Sequence, residues 1–324
     1  MTELLMIEQS SDSPHVQPWI LDEHGHEMPG HDHTQRILEM KAGLTRHSCV
    51  ITQQADASSE DVERVLGMLH HPSYLQALRD VDSIAPTLMA DFAAPGLAPD
   101  TPVSTGIATI AIEGVRTAVT AAQRVLAGSR FVYALCRPPG HHAGPSWLGG
   151  CCYLNNAAAA AQTLVKSEGG GSESHVGILD LDIHYPNGTS AIAERMSTTS
   201  LYSLHSTPVV NSPTRSAQPR TNREHVTEFS IAPTDCQYLD AVAASIDSLA
   251  ESADALVLSL GYDTVAGDPH GCWSFSSEIF TDIGRLLRAS QLPICVVQEG
   301  GYALDSLAPC SYAFASGLLG SEQT

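Results

Sequence analysis

The chain has 324 residues, of which 43% are hydrophobic, so it can bury the core of one large α/β domain or of two small ones. It contains no apolar run of about 18 residues, so no transmembrane helix is expected. The net charge is −20 with only two lysines, Lys41 and Lys166. So acidic a surface disfavours nucleic acid and anionic membranes and favours cationic ligands, although solubility alone would also explain it.

The N-terminal residues 1–6 lack the basic start and long apolar stretch of a secretory signal peptide. The eight cysteines are scattered without a CxxC pair, so we expect them to be reduced and the protein to be cytoplasmic. Four histidines, His24, His26, His31 and His33, crowd the next segment. We expect a polar loop there. An alternative is that this loop caps the site of a neighbouring subunit in a homo-oligomer.

Four short apolar segments with strand character each run into a loop with reactive side chains: residues 131–136, 176–181, 255–260 and 294–297. Helical spacing predicts helices at residues 109–127, 155–166, 238–252 and 276–290, the last after a Ser-Ser cap, while residues 197–200 are expected to form a turn. Alternating strands and helices predict a mainly parallel sheet covered on both faces. Ligands bind such sheets beyond the carboxyl ends of the strands. No linker long enough to separate two domains is visible.

The segment Asp180-Leu-Asp-Ile-His184 places two carboxylates and an imidazole at the end of a buried strand. Alternate side chains of an extended chain share a face, so Asp180, Asp182 and His184 can point the same way. Buried acids are costly unless they are paired or bind a metal, and a divalent metal is the simplest explanation. Asp263, at another strand end, is the natural third ligand of a catalytic zinc site. A salt-bridged strand end, or a turn or N-cap role for Asp263, is the alternative. Asp180 would orient a histidine or hold a second cation.

Two further clusters indicate catalysis. His141 and His142 are adjacent imidazoles on a Pro- and Gly-containing loop, and histidine suits general acid–base work near neutral pH. Tyr302 follows a Gly pair, and its hydroxyl could stabilise a developing oxyanion. Structural histidines and a core tyrosine are the alternatives. No P-loop, GxGxxG or GxSxG pattern supports nucleotide binding or a serine hydrolase.

Taken together, these motifs resemble the zinc-dependent histone deacetylase and acetylpolyamine amidohydrolase family, in its class II-like, bacterial-type branch. The resemblance is carried by Arg137-Pro-Pro-Gly-His-His-Ala143, Cys152-Tyr-Leu-Asn-Asn156, Asp180-Leu-Asp-Ile-His184 with Asn187-Gly-Thr189, Ser203-Leu-His205, Gly261-Tyr-Asp-Thr-Val-Ala-Gly-Asp-Pro269 and Glu299-Gly-Gly-Tyr302. Their order and spacing match, and weaker likeness begins upstream at His33-Thr-Gln-Arg-Ile37, His71-Pro-Ser-Tyr-Leu75 and Asp100-Thr-Pro-Val-Ser104. The resemblance implies an arginase–deacetylase α/β fold, with residues 1–324 as one domain around a mostly parallel sheet of about eight strands flanked by helices.

The resemblance also implies roles for individual residues. It implies one catalytic zinc ion held by Asp182, His184 and Asp263, with His142 as general base and acid and Tyr302 as the carbonyl-polarising phenol. His141 would be the electrostatic partner, paired with Asp180, and Asn187 would stand against His142. A structural potassium ion would use oxygens of Asp180, Asp182, His184, Ser203 and Leu204. The substrate pocket would include Gly150, Cys151, His270, Gly300 and Gly301.

Three departures from the family pattern concern the substrate. Tyr185, followed by Pro186, replaces the second histidine of the usual Asp-x-His-His run. Cys151 stands where relatives commonly carry a tunnel phenylalanine, and residues 209–213 offer no matching aromatic. The aromatic slot for an acyl-lysine stem is therefore expected to be wider or absent.

The predicted function is zinc-dependent removal of an acetyl or other acyl group from an amine such as acetyllysine or an acetylpolyamine. The amine product would be cationic, which agrees with the acidic composition. A deacylase of small-molecule or secondary-metabolite amides is the alternative within enzymes. A zinc-bound acyl-lysine binding protein with little turnover is the alternative of another class, and a di-manganese arginase-like enzyme would need further acid ligands.

Overall fold

The structure is a computed structural model that describes residues 2–9, 19–22, 24–94, 100–165, 174–207 and 221–320. Its strands are β1 (Leu4–Glu8), β2 (Trp19–Leu21), β3 (Glu27–Pro29), β4 (Val50–Gln54), β5 (Thr87–Leu88), β6 (Pro102–Val103), β7 (Phe131–Leu135), β8 (Val176–Asp180), β9 (Thr199–Ser206), β10 (Glu224–Phe229), β11 (Ala255–Leu260) and β12 (Ile294–Gln298). Its helices are α1 (Thr34–Leu44), α2 (Ser59–Leu69), α3 (Pro72–Arg79), α4 (Ile107–Leu126), α5 (Asn156–Leu164), α6 (Asn187–Ala193), α7 (Asp235–Ser252), α8 (Ile279–Ala289) and α9 (Leu304–Leu319), with a 3₁₀ turn at Ala90–Phe92.

Eight strands form the central sheet in the order β10-β9-β8-β11-β12-β7-β1-β4, and every neighbouring pair is parallel. The prediction of a mainly parallel sheet of about eight strands is confirmed. The four predicted strands β8, β11, β12 and β7 are the four adjacent central ones, and all their residues are buried. Strands covered on both faces are apolar throughout, which is why the sequence shows them clearly.

The two faces of the sheet bury separate cores because successive strand residues point to opposite sides. On one face, residues such as Val257 pack with α2, α4 and α5. On the other, its neighbours Leu256 and Leu258 pack with α1, α7, α8 and α9. The sheet is thus covered by helices on both sides, as predicted, and its carboxyl edge stays free for a site. In the described part of the chain, no helix is both long and apolar enough to cross a membrane.

Two local predictions were wrong. Residues 199 and 200 were expected in a turn but belong to β9, where they pair with Val176 and Gly177 of β8. Their strand conformation is set by this neighbouring strand rather than by the polar segment itself. The helix predicted at residues 276–290 begins only at Ile279. Ser276 and Ser277 form a turn before it, and the N-cap is Glu278, which makes no side-chain capping bond.

His70, directly after α2, holds down the loop that follows β7. Its buried ring has Nδ1 2.9 Å from the carbonyl oxygen of Gly144, and Nε2 lies 3.2 Å from the backbone nitrogen of Asn155. A neutral ring with its proton on Nδ1 satisfies both contacts, since it donates to Gly144 and accepts from Asn155. Burial lowers the pKa of His70 to about 4, which keeps the ring neutral at pH 7.

This geometry predicts a pH-dependent contribution to stability. The pKa of His70 is lower in the folded protein than the value of about 6.5 expected in the unfolded chain, so the unfolded chain binds the proton more readily. The contribution of His70 is therefore complete above about pH 6.5 and is lost as the pH falls toward 4, by about 3 kcal/mol. We expect His70→Gln, which cannot titrate, to be less stable than wild type at about pH 7.5, with the difference shrinking in acid. Urea unfolding of both proteins between about pH 7.5 and 4.5 measures this, and a constant difference would contradict it.

Candidate active site

Three buried side chains converge at the carboxyl edge of the sheet: Asp182, His184 and Asp263. One ligand atom from each lies within 4.8 Å of the other two. Nδ1 of His184 is 2.9 Å from Oδ1 of Asp182 and 3.2 Å from Oδ2 of Asp263. The structure therefore brings together the three residues that the sequence singled out as metal ligands.

Hydrogen bonds, rather than strand alternation, fix the two ligands that follow β8. The strand ends at Asp180, so the expectation that residues 180–184 continue as an extended strand was wrong. Beyond it, the backbone nitrogen of Ile183 donates to Oδ1 of Asp263 at 3.1 Å, and that of His184 donates to Oδ1 of Asp182 at 2.9 Å. The first bond ties the loop after β8 to the loop after β11, and the second fixes the turn between Asp182 and His184.

Two glycines make room for the carboxylates. A Cβ atom on Gly261 would lie 2.6 Å from Oδ2 of Asp182 and 2.7 Å from Oδ1 of Asp263, and one on Gly300 would come as close to both residues. Gly300 also donates its backbone N–H to Asp182 at 3.0 Å. Gly300 and Gly301 were predicted to line the substrate pocket, but they do not contribute to its wall as described. Gly300 lies behind the ligands and Gly301 against Tyr262.

The donor set fits a divalent cation. Oδ2 of Asp263 is buried and accepts no hydrogen bond from the described residues. Burial and the charge of Asp182 raise the pKa of Asp263, which reflects the cost of placing two carboxylates together. Burial opposes the charge of His184, but its hydrogen bond to Asp182 and the nearby carboxylate of Asp263 outweigh burial and raise its pKa to about 10. Asp182 and Asp263 together favour a positive charge placed between them. With the imidazole of His184 they form a ligand set suited to binding zinc.

The two adjacent histidines have different partners. Nδ1 of His141 lies 3.3 Å from Oδ2 of Asp180, and its Nε2 lies 3.6 Å from Oδ1 of Asp182. Burial opposes its charge, but Asp182 and Asp180 outweigh burial and raise the pKa of His141 to about 10. His142 instead bonds Oδ1 of Asn187 through Nδ1 at 2.7 Å, and burial lowers its pKa well below the usual value. One ring is held as a cation and the other as a neutral base.

The backbone carbonyls of the dihistidine loop, residues 140–144, are held by hydrogen bonds. Four of them accept from residues outside the loop. His141 accepts from the backbone N–H of Thr189, His142 from the indole of Trp147, Ala143 from the side-chain amide of Asn155, and Gly144 from His70. The imidazoles are therefore presented by a rigid support. Neither His70 nor Trp147 was predicted to have a role.

Tyr302 is held by its backbone and by its ring. Oδ2 of Asp268 accepts from the backbone nitrogen of Tyr302 at 2.6 Å. The guanidinium of the buried Arg36 lies 4.3 Å from the ring centroid, which is a cation–π contact. The ring of His270 packs edge-on with centroids 4.6 Å apart. Burial raises the pKa of Tyr302 well above its ordinary value, so the phenol stays a hydrogen-bond donor at neutral pH.

A pocket opens above these groups. His141, His142, Asp182, His184 and Tyr302 lie on its wall, together with the predicted residues Gly150, Cys151 and His270. Cys151 adopts φ +67°, and a Cβ on Gly150 would lie 2.3 Å from the His142 ring. Residues 209–213, where an aromatic was predicted to be missing, lie outside the described residues.

Part of the pocket wall was not predicted. Ile20, Leu21 and Pro139 add apolar surface, and Asp100 adds a carboxylate. His31, expected in a polar loop, has Nδ1 2.8 Å from Nε2 of His270 in the same chain. The pocket wall thus includes residues of the N-terminal segment, where the sequence shows no periodic pattern.

The remaining predicted positions lie behind the metal ligands. Ser203 pairs with Asp180 across β9 and β8, with Leu204 next to it, and the Ser203 hydroxyl lies 2.7 Å from Nδ1 of His205. Tyr185, the departure from the family pattern, bonds Glu224 at 2.6 Å. Its hydroxyl therefore contacts the β10 edge of the sheet rather than the ligand triad.

Comparisons with known proteins agree with this geometry. The family described as "Histone deacetylase domain" matches residues 30–318. An acetylpolyamine amidohydrolase from Mycoplana ramosa is 33% identical over 222 residues, which is 65% of this chain and 63% of that protein. Acetylpolyamine amidohydrolase 1 of Pseudomonas aeruginosa is 32% identical over 238 residues, 71% of this chain and 68% of that protein.

The fold has a solved counterpart. The crystal structure of an acetylpolyamine aminohydrolase from Burkholderia pseudomallei superposes with a TM-score of 0.82 at 25% identity, over 98% of both chains. This confirms the predicted arginase–deacetylase fold. With the match across residues 30–318, it shows that the chain belongs to the histone deacetylase family.

Proposed function

We propose that this protein is a zinc-dependent amidohydrolase that removes an acetyl or other acyl group from an amine, with residues 1–324 acting as one catalytic domain. The observation that carries the proposal is that two of the three proposed metal ligands, Asp182 and His184, share one pocket wall with the neutral base His142 and the phenol of Tyr302, while Asp263 completes the triad behind that wall. Hydrolysis of an amide needs an activated water, a proton carrier and a donor to the oxyanion. Each requirement has a residue in this pocket.

His142 is the proposed proton carrier. Its Nδ1–H donates to Asn187, which leaves the lone pair of Nε2 to take a proton from the attacking water and pass it to the leaving amine. His141, paired with Asp180, supplies positive charge beside it. Tyr302 donates its hydroxyl proton in a hydrogen bond to the carbonyl oxygen as negative charge develops there.

Asp182, His184 and Asp263 are the proposed zinc ligands. When bound, zinc would polarise the amide carbonyl and lower the pKa of the attacking water. We also propose a structural potassium ion beside Asp180 and Ser203, because carboxylate, hydroxyl and carbonyl oxygens suit a hard cation.

The proposed substrate is an acylated amine that becomes cationic on deacylation. The relatives named above are acetylpolyamine amidohydrolases, and the net charge of −20 favours such ligands. A deacylase of small-molecule amides is the closest alternative, because Cys151 replaces a tunnel aromatic. We place the protein in the cytoplasm, in keeping with its eight free cysteines. The protein is also proposed to be able to form a homo-oligomer, and no nucleic-acid or membrane partner is proposed.

A zinc-bound acyl-lysine binding protein is the alternative of another class, and one experiment separates the two. Zinc-loaded protein is assayed against acetyllysine peptides, acetylated polyamines and longer acyl amides, with metal content and hydroxamate binding measured in parallel. We expect zinc near one equivalent, turnover of at least one amide and inhibition by the hydroxamate. Hydroxamate binding without turnover would favour the binding protein, and failure of both would reject the zinc-site proposal.

The oxyanion role of Tyr302 predicts a selective loss of rate. Tyr302→Phe keeps the ring between Arg36 and His270 but removes the donor, so we expect kcat to fall by about 10² to 10³-fold with KM little changed. Tyr312→Phe is the matched control and should leave kcat unchanged. Tyr312 lies in α9, and the variant keeps its ring under the guanidinium of Arg46. Steady-state kinetics measure both variants. An unchanged rate in Tyr302→Phe would remove the phenol from the mechanism.

The ligand role of Asp263 predicts a loss of metal. Asp263→Asn can keep the bond from the Ile183 backbone to Oδ1 but loses the carboxylate charge, so we expect zinc affinity to fall more than about 100-fold. Asp254→Asn is the control, because the Asp254 carboxylate accepts a backbone bond from His175 at 2.9 Å at the amino ends of β11 and β8, away from the triad. Competition with a zinc chelator measures both. Full affinity in Asp263→Asn would exclude Asp263 as a ligand.

A further inference from the structure

The carboxylate of Glu299 joins two halves of the site. Glu299 is fully buried directly after β12, and its backbone nitrogen bonds the carbonyl of Leu260 at 2.9 Å. Oε2 accepts from the backbone nitrogens of Gly140 at 2.6 Å and His141 at 3.1 Å. Oε1 accepts from the Ser259 hydroxyl at 3.2 Å.

Two successive backbone N–H groups that converge on one oxygen form a small anion-binding nest. Here the nest belongs to the dihistidine loop, and its anion is a side chain of another segment. The loop carbonyls are bound by other residues, but these two N–H groups depend on Glu299. Loss of the acceptor would leave two buried donors unsatisfied at the residues that precede His142.

The main chain of Glu299 leads to the other half of the site. Its carbonyl accepts from Arg36 at 2.7 Å, and Arg36 also bonds the carbonyl of Gly301 at 2.6 Å and stacks on Tyr302. One residue therefore fixes the imidazoles through its side chain and the phenol through its backbone. Glu299 is not on the pocket wall, so it would act through these residues rather than on substrate.

We propose that Glu299 is a positioning residue whose carboxyl oxygen holds the dihistidine loop in register with Tyr302. The proposal rests on the proposed function for its effect on rate. Burial raises the pKa of Glu299 to about 7, so near neutral pH its charge varies while its acceptor oxygen is constant. The feature that matters is therefore the position of the acceptor.

Three variants separate acceptor position from charge. Glu299→Gln keeps an oxygen for both N–H groups, and its amide can donate to Ser259, so we expect kcat within about threefold of wild type. Glu299→Asp keeps the carboxylate charge but moves the acceptor oxygens back by about 1.5 Å, and Glu299→Ala removes the carboxylate altogether. Misplacing a catalytic group by about 1 Å can lower the reaction rate by about 10²-fold. We therefore expect kcat to fall about 10-fold or more in Glu299→Asp and about 100-fold in Glu299→Ala, with KM little changed.

Hydrogen exchange of the Gly140 and His141 amides supplies a readout that does not need turnover. We expect both amides to be protected in wild type and in Glu299→Gln, and to exchange at least about 10-fold faster in Glu299→Asp and Glu299→Ala. Ser311→Ala is the control for stability alone, because it removes a buried bond to the Met40 carbonyl at 2.9 Å, far from this loop. It should leave kcat and these amides unchanged.

The outcomes are separable. If Glu299→Gln is as slow as Glu299→Asp, an acceptor at the native position does not sustain the rate by itself and the proposal is wrong. If Glu299→Asp is faster than Glu299→Gln, charge rather than acceptor position matters and the proposal is also wrong. Unchanged exchange and kcat in folded Glu299→Ala would also overturn it, and if that variant does not fold, the order of Gln and Asp decides. If wild type hydrolyses no amide, the proposed function fails, but the exchange of the two amides still decides whether Glu299 positions the loop.

Discussion

Four buried carboxylates at the carboxyl edge of the sheet set the main constraint on this structure. Asp180, Asp182, Asp263 and Glu299 are each at most 1% exposed. A buried charge without a partner would cost several kcal/mol, and each of these acids faces a cationic ring or backbone N–H groups. Asp180 faces His141, the other two aspartates share His184, and Glu299 takes two backbone N–H groups. Because these partners come from different strand ends, the position of one acid restricts the positions of the others.

The sequence predicts those parts of the fold whose physical cause is local. The strands β7, β8, β11 and β12 lie in the middle of the sheet, where both faces are buried, so they appear as continuous apolar runs. The outer strands lack that signal. β4 is an edge strand with the polar residues Thr52, Gln53 and Gln54 exposed, and β9 is rich in serine and threonine. They are strands because a neighbour offers hydrogen bonds, which is information that the segment itself does not contain.

The same distinction divides the site. The metal ligands and catalytic candidates follow strand ends, so the rule that parallel sheets bind ligands there predicts that they meet. Their supports come from far along the chain. Arg36 bonds a carbonyl 263 residues away, and Glu299 bonds an amide 159 residues away. A weak signal for both exists: Asp32 and Arg36 are spaced to form an ion pair on a helix, and Glu299 is an acid directly after a fully apolar strand. Neither signal names the partner, because the partner is set by tertiary packing.

The structure also distinguishes the proposed catalytic groups from other residues of the pocket wall. The dihistidine loop and the metal ligands are bound through backbone and buried contacts, so a change there disturbs several partners together. The pocket wall also includes Ile20, Leu21 and His270, none of which belongs to the triad, and His270 pairs with His31. Substitutions at Ile20 or Leu21 can therefore change the shape of the pocket without removing a member of the triad. The departures from the family pattern fit this division, because Tyr185 contacts the β10 edge, and Cys151 lies on the pocket wall and is not one of the three metal ligands.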